Sequence, residues 1–235
     1  MANSKRVVSY IAGMLILALG LSLNTRTTLG VSPMLSIAYS SSQIYDFNFG
    51  NATLVLYIVF VLIEIAIHVS MKRYKNIIVD VAQIALSIVF TRFLNVFNSV
   101  IPEFEVDFEG TFFGTVYARL FFLIIAIILT GIGAAMSLNA RIIPNPGDGV
   151  VQAIADFTKK EVGNVKNVVD ISCVCITLVV CFVSKSGIVG IGVGTVMAML
   201  GVGRVIAAYN AFVTRKNNDT DNNTDAKSGV AGLES

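Results

Sequence analysis

Apolar residues fall along this chain in long blocks, without the alternation of half-buried strands or the narrow stripes of soluble amphipathic helices. Six blocks come close to or exceed the roughly 20 helical residues needed to cross a hydrocarbon layer about 30 Å thick. They are residues 7–24, 52–70, 77–98, 113–137, 165–183 and 188–212. Two more, 34–45 and 148–158, have helical character but are short. The first, Met34 to Tyr45, would reach only about 18 Å as a helix, and it carries Ser40, Ser41, Ser42 and Gln43 in succession. The pattern predicts an all-α integral membrane protein with six spans and two re-entrant half-helices.

Charge between the blocks sets the orientation. With the N-terminal Lys5 and Arg6 in the cytoplasm and neither short block crossing, Lys72, Arg73, Lys75, Lys159, Lys160, Arg215 and Lys216 all fall inside. The acidic segment 102–112, with Glu103, Glu105, Asp107 and Glu109, falls outside, and only Lys185 disagrees. If block 34–45 crossed, the Lys72–Lys75 cluster would move outside, against the positive-inside rule. Both termini are therefore expected in the cytoplasm. Tyr10, Tyr74 and Tyr209 then mark the inner interface, and Tyr45 and Tyr117 the outer one. The run from Val7 is too long for a signal-peptide core and reads as a retained first span. Residues 214–235, poor in apolar side chains, read as a disordered cytoplasmic tail.

The chain also repeats itself. Ser22-Leu23-Asn24-Thr25-Arg26 recurs as Ser137-Leu138-Asn139-Ala140-Arg141, an offset of 115. Each copy ends a span and leads into a Gly/Pro loop and a short helix. Gly50-Asn51 matches Gly163-Asn164 at an offset of 113, and Arg92 with Asn98 matches Arg204 with Asn210 at 112. The units are 1–101 and 113–213, joined by the acidic loop 102–112. Three spans per unit, an odd number, turn the second upside down. Such inverted-topology repeats with broken helices are a carrier architecture, whose site lies near mid-depth where the halves meet.

Composition narrows the function. Of 235 residues, 55% are hydrophobic and 14% charged, and mean hydropathy is +0.77. Soluble domains are nearer 45–50% and 25%, so the excess must face lipid, which excludes a soluble enzyme, a nucleic-acid-binding domain and a disordered protein. Cys173, Cys175 and Cys181 lie in one apolar run and form neither a disulfide framework nor a metal pair. One histidine, with no HExxH and no GxSxG, gives no catalytic constellation, and neither metal nor cofactor is expected.

The SLNxR ending of the first span, the Leu29-Gly30-Val31-Ser32-Pro33 loop and the later Gly190-Ile191-Gly192-Val193-Gly194-Thr195 segment resemble the YitT/YczE group of bacterial multi-pass membrane proteins. The resemblance covers most of residues 7–212. It implies a bacterial cytoplasmic-membrane location in a largely uncharacterised group usually described as transporters, and supplies no site residues.

Ionisable residues at membrane depth are costly and are functional candidates for that reason. Arg92 and Arg204 lie within spans, and Arg26 and Arg141 open the two short-helix loops. Guanidinium forks suit carboxylate, sulfonate or phosphate. Ser32-Pro33 and Asn145-Pro146 read as N-cap and first residue of each half-helix, whose N-termini would add positive field. These six residues are expected to bind a small anion in one central cavity. Glu64 and Asp170 are expected to balance charge or carry a coupling ion. Asp80 and His68 read as residues near the inner interface, and Asp148 as a cap. The Gly190–Gly203 glycines read chiefly as close-packing positions.

The function that follows is a secondary transporter or facilitator of a small organic anion, working by alternating access, with the bilayer as its solvent and a homo-oligomer possible. An anion or small-solute channel with paired re-entrant helices is the first alternative, and a non-transporting membrane partner or regulator the second. The orientation has a direct check. Cysteines introduced at Glu105 and at Arg73 should be labelled by an impermeant reagent from outside and from inside respectively; outside labelling at Arg73 would overturn the re-entrant reading.

Overall fold

A computed structural model of the chain describes residues 2–231, with side chains described for Ser4 and for 6–215. Its helices are α1 (Ala2–Arg26), α2 (Pro33–Ile44), α3 (Phe49–Ser70), α4 (Tyr74–Val100), the single turn α5 (Phe104–Asp107), α6 (Val116–Ala140), α7 (Pro146–Thr158), α8 (Val162–Val183) and α9 (Val193–Ala231). A 3-10 turn occupies Phe112–Gly114, and no strand occurs among the described residues. Six helices (α1, α3, α4, α6, α8 and α9) are long and apolar enough to cross a membrane. Their outer faces carry large apolar side chains such as Ile78, Val179, Phe182 and Leu200. The protein is an all-helical, multi-pass membrane protein.

Local chemistry explains the helix starts. Asn48 accepts from the Asn51 amide and Thr115 from the Ala118 amide, capping α3 and α6. Pro33 and Pro146 open α2 and α7, where a missing N–H costs nothing. The last span begins later than the apolar block suggests. Residues 188–192 are irregular, with bends at Gly190 and Gly192, and helix starts only at Val193. Glycine is the reason. Gly190, at φ +79°, gives its carbonyl to the Val31 amide (2.9 Å), and the Gly194 amide donates to the Leu29 carbonyl (2.7 Å). A side chain on Gly192 would strike the Leu29 carbonyl. These glycines serve the approach of two backbones, not of two helices. From residue 214 on, α9 continues as helix to Ala231; the side chains of 216–235 and the backbone of 232–235, where the tail is expected, lie outside the described residues.

The central pair is α1 and α6, which run antiparallel in close contact. Gly13 meets Gly133, Met136 and Ser137, while Gly20 meets Ala126 and Thr130. At one end Arg6 donates to the Ala140 carbonyl (2.8 Å) and the Tyr10 hydroxyl to the Ile143 carbonyl (2.7 Å). That contact buries Tyr10, which turns inward instead of joining an interfacial belt. At the other end the acidic loop folds back: Glu105 pairs with Arg119 at 2.7 Å and accepts from Thr28 at 2.6 Å, and Phe104 packs on Phe122. Helix α4 packs on α1 and α3, α9 on α6, and the short helices α2 and α7 each pack on both α3 and α8.

A β-carbon on Gly20 would stand 2.6 Å from the Thr130 amide nitrogen. Gly20→Leu should therefore destabilise the folded protein by roughly the 1–3 kcal/mol typical of overpacking, or more. Gly203→Ala, at a position open within 4 Å, should leave thermal stability in detergent unchanged.

Candidate functional site

The N-termini of α2 and α7 face one small cavity of about 80 Å³ in the interior, lined among others by Ser32, Met34, Tyr57, Asn145, Asp148 and Lys166. A β-carbon on Gly147 would touch the Met34 sulfur at 3.0 Å, so the two helix starts are in near contact. Asn145 caps its own helix by accepting from the Gly147 amide (3.1 Å). Ser32 holds the equivalent place on α2 but caps nothing with its side chain, which leaves its hydroxyl available to the cavity. Lys166 reaches in from α8, with its ammonium 3.0 Å from Asp170 Oδ2; the other Asp170 oxygen is buried without a donor. Sequence reasoning passes over Lys166, because it stands in the first turn of its span like an interfacial lysine. Its spacing of four residues before Asp170 is the signal that marks the pair.

The arginines are not gathered here. Arg26 lines a separate polar cavity of about 280 Å³ at the end of the bundle, with Tyr39, Asn95, Asn98 and Glu103. Its guanidinium donates to the Asn98 carbonyl and lies 3.7 Å from Glu103. Arg92 is exposed on α4 and donates to Asn51 at 2.8 Å. Arg141 ends α6 in a left-handed conformation with φ 50° and is exposed, as is Arg204 on α9. The single central cavity expected for all four is thus not formed. Two causes apply: Arg26 and Arg141 end the antiparallel helices α1 and α6 at opposite ends of the bundle, and Arg92 sits between buried Thr91 and Leu94, where one residue turns the face by about 100°. Of the expected binding set, Ser32 and Asn145 share the central cavity, and Arg26 occupies the outer one. A fifth arginine, Arg119, is largely buried and tied to Glu105 and Thr28.

Beside the central cavity, α3, α4 and α7 enclose a polar seam. Gln83 donates its amide to Glu64 Oε2 at 2.7 Å, and His68 Nδ1 lies 2.7 Å from Asp80 Oδ2. Asn76 stands 3.3 Å from the other ring nitrogen of His68. All four of Glu64, His68, Asp80 and Gln83 are buried. Gly149, in the first turn of α7, makes room for the Glu64 carboxyl: an added β-carbon would be 2.6 Å from Oε1. His68 and Asp80, expected near a solvated interface, therefore belong to the interior. No group of three or more histidine, cysteine or acidic side chains able to hold a metal occurs among the described residues.

Gly149→Ala should destabilise the protein strongly, by driving a methyl group into the Glu64 carboxyl. Combining it with Glu64→Ala should recover most of that loss, so the two changes are non-additive in a thermal-unfolding cycle.

No curated protein and no solved structure matches this chain. The model of one family matches residues 4–211, which takes in the first five spans, most of the sixth, both short helices and every residue of the central cavity and the seam. The chain belongs to that family, DUF6198, a family of unknown function.

Proposed function

We propose that this protein is a secondary carrier of a small organic anion, of carboxylate, sulfonate or phosphate type, working by alternating access in a bacterial cytoplasmic membrane with both termini inside. In this reading residues 1–101 and 113–213 are inverted copies, and α2 and α7 are their re-entrant half-helices. The observation that carries it is the packing. Exchanging α1 with α6, α2 with α7, α3 with α8 and α4 with α9 maps α1–α4 contact onto α6–α9, α2–α8 onto α7–α3, and α2–α3 onto α7–α8.

Individual residues follow the same exchange. Asn139 donates to Asn210 at 2.7 Å, and their partners by the sequence offsets, Asn24 and Asn98, stand in the same pair of elements of the first half. Gly149 abuts Glu64; at the shared offset of 113, Ser36 shares a hydrogen bond of 2.7 Å with Thr177. The exchange fails at one seam. α4 is closed on α3, whereas α9 and α8 make little contact. A molecule closed on one side and open on the repeat-related side is what a carrier in one of its two end states requires. The resemblance to the YitT/YczE group points the same way.

The reading of the substrate as an anion rests on Lys166 and the two helix starts at the central cavity, where the Asp148 and Asp170 carboxyls count against it. Two helix N-termini direct partial positive charge toward the cavity, although Asn145 already takes the first amides of α7, and Lys166, paired with Asp170 on one side, adds an ammonium. Ser32 and Asn145 offer neutral polar contacts, and Arg26 in the outer cavity attracts the anion toward the bundle.

In a thermal-shift screen against carboxylates, sulfonates, phosphates and amines, an anion should stabilise the purified protein. Lys166→Gln should then weaken that ligand roughly ten- to a hundredfold, as loss of a charged hydrogen bond of about 1.5–3 kcal/mol would. Arg92→Gln and Arg204→Gln should leave affinity unchanged. Stabilisation by amines alone, or equal effects of all three substitutions, would overturn the anion site, and single-channel currents in planar bilayers would favour a channel over a carrier.

A further inference from the structure

We infer that Glu64 is a proton-binding site, and that this proton closes the seam between α3, α4 and α7. Glu64 is 1% exposed and Gln83 fully buried. One bond joins them, Gln83 Nε2 to Glu64 Oε2. The remaining oxygen of each, Glu64 Oε1 and Gln83 Oε1, is buried with no hydrogen-bond partner. Both are acceptors, so a carboxylate leaves two buried acceptors without a donor, each at a cost of about 1–3 kcal/mol or more.

No cation compensates. Glu64 has no ion-pair partner among the described residues. From α4 it faces Asp80, whose carboxyl is engaged by His68, one turn along from Glu64 on α3. From α7 the nearest charged residue is Asp148, adjacent to Gly149, and beyond it the Lys166 ammonium of α8 is engaged by Asp170. α2 has no charged residue at all. Apart from the His68 imidazole, which is turned to Asp80, the surroundings are acidic or neutral, and an ionised Glu64 would be an unpaired buried charge.

One proton resolves the conflict. A carboxylic acid at Glu64 supplies the donor that both orphaned oxygens lack, its O–H turning to Gln83 Oε1 while the Gln83 amide keeps its bond to the second oxygen. Reversing the Gln83 amide would set its oxygen against Glu64 Oε2 and require the proton still more. Gly149 holds this face of α7 against the carboxyl because no side chain intervenes. When the proton leaves, the buried charge loses its hydrogen-bonded partner at the face where α4 and α7 pack on α3. His68, with Asp80 and Asn76, lies between Glu64 and the end of α3 and gives the proton a polar route.

The site occurs once per chain. The position related to Glu64 by the repeat is Thr177, which is neutral and bonded to Ser36. Where the protein is a carrier, one proton per chain is then the coupling ion. That role rests on the carrier reading; the proton site itself does not.

Infrared spectroscopy of the full chain in lipid nanodiscs tests the site without any substrate. At neutral pH the protein should show a protonated-carboxyl C=O band that shifts in deuterium oxide. The band should persist in Asp148→Asn and Asp170→Asn and vanish in Glu64→Gln. Its absence from the wild-type protein, or survival in Glu64→Gln, overturns the proposal. Because Glu64→Gln could fail to fold, Gln83→Met provides a second arm. It keeps the acid and removes its partner, so the band should move to higher frequency, and an unmoved band overturns the pairing. Coupling is read separately in proteoliposomes, using the anion that most stabilises the protein in the thermal-shift screen. An inward proton gradient should accelerate its uptake in the wild type and not in Glu64→Gln. A band without uptake retains the proton site and overturns the carrier reading; uptake without a band does the reverse.

Discussion

The antiparallel crossing of α1 and α6 is the contact on which the other elements depend. Within a membrane, helices gain little by hiding from lipid that is as apolar as they are, and association rests on close packing. Gly13, Gly20 and Gly133 supply it by letting each helix touch the partner's backbone directly. The pair then offers a rigid face on either side, against which α4 and α9 lie. Arg6 and Tyr10 at one end, and the Thr28–Glu105–Arg119 cluster at the other, prevent the pair from sliding.

A second constraint is the accommodation of irregular backbone. Loop residues 29–32 and 187–192 would be intolerable in lipid, where every unpaired N–H or C=O costs several kcal/mol. They satisfy one another: Val31 bonds to Gly190, Gly194 to Leu29, and Ser40 to the Val189 carbonyl. Glycine makes the mutual approach possible. The same arrangement delivers the start of α2 into the interior, where it meets the start of α7.

The polar interior divides into chemically distinct parts. The central cavity combines helix N-termini with Lys166 and Asp170, while the α3–α4–α7 seam holds Glu64, Gln83, His68 and Asp80 with no basic side chain other than the imidazole. Gly149 and Asp148, neighbours on α7, belong one to each. Any movement of α7 therefore changes both surroundings together; in the proposed carrier this is the link between a proton at one and an anion at the other.

Much of the framework was legible in the sequence. Spans announce themselves because roughly 20 apolar residues have no other stable use, and Ser32-Pro33 and Asn145-Pro146 mark helix starts through the fixed φ and missing N–H of proline. Glu64 and Asp170 stand out because charge is scarce in such segments. What the sequence could not determine is direction. A side chain one position along a helix points about 100° away, so Arg92 and Arg204, plausible as inward residues by depth, turn outward, while Lys166 and Arg119, ordinary by position, turn inward or pair. Whether a glycine serves helix packing or loop contact depends on what lies opposite, and Leu29 lies opposite Gly192 only after some 160 intervening residues have folded. Depth and helicity are local properties of the chain; orientation and partnership are decided by the packing of helices distant in sequence.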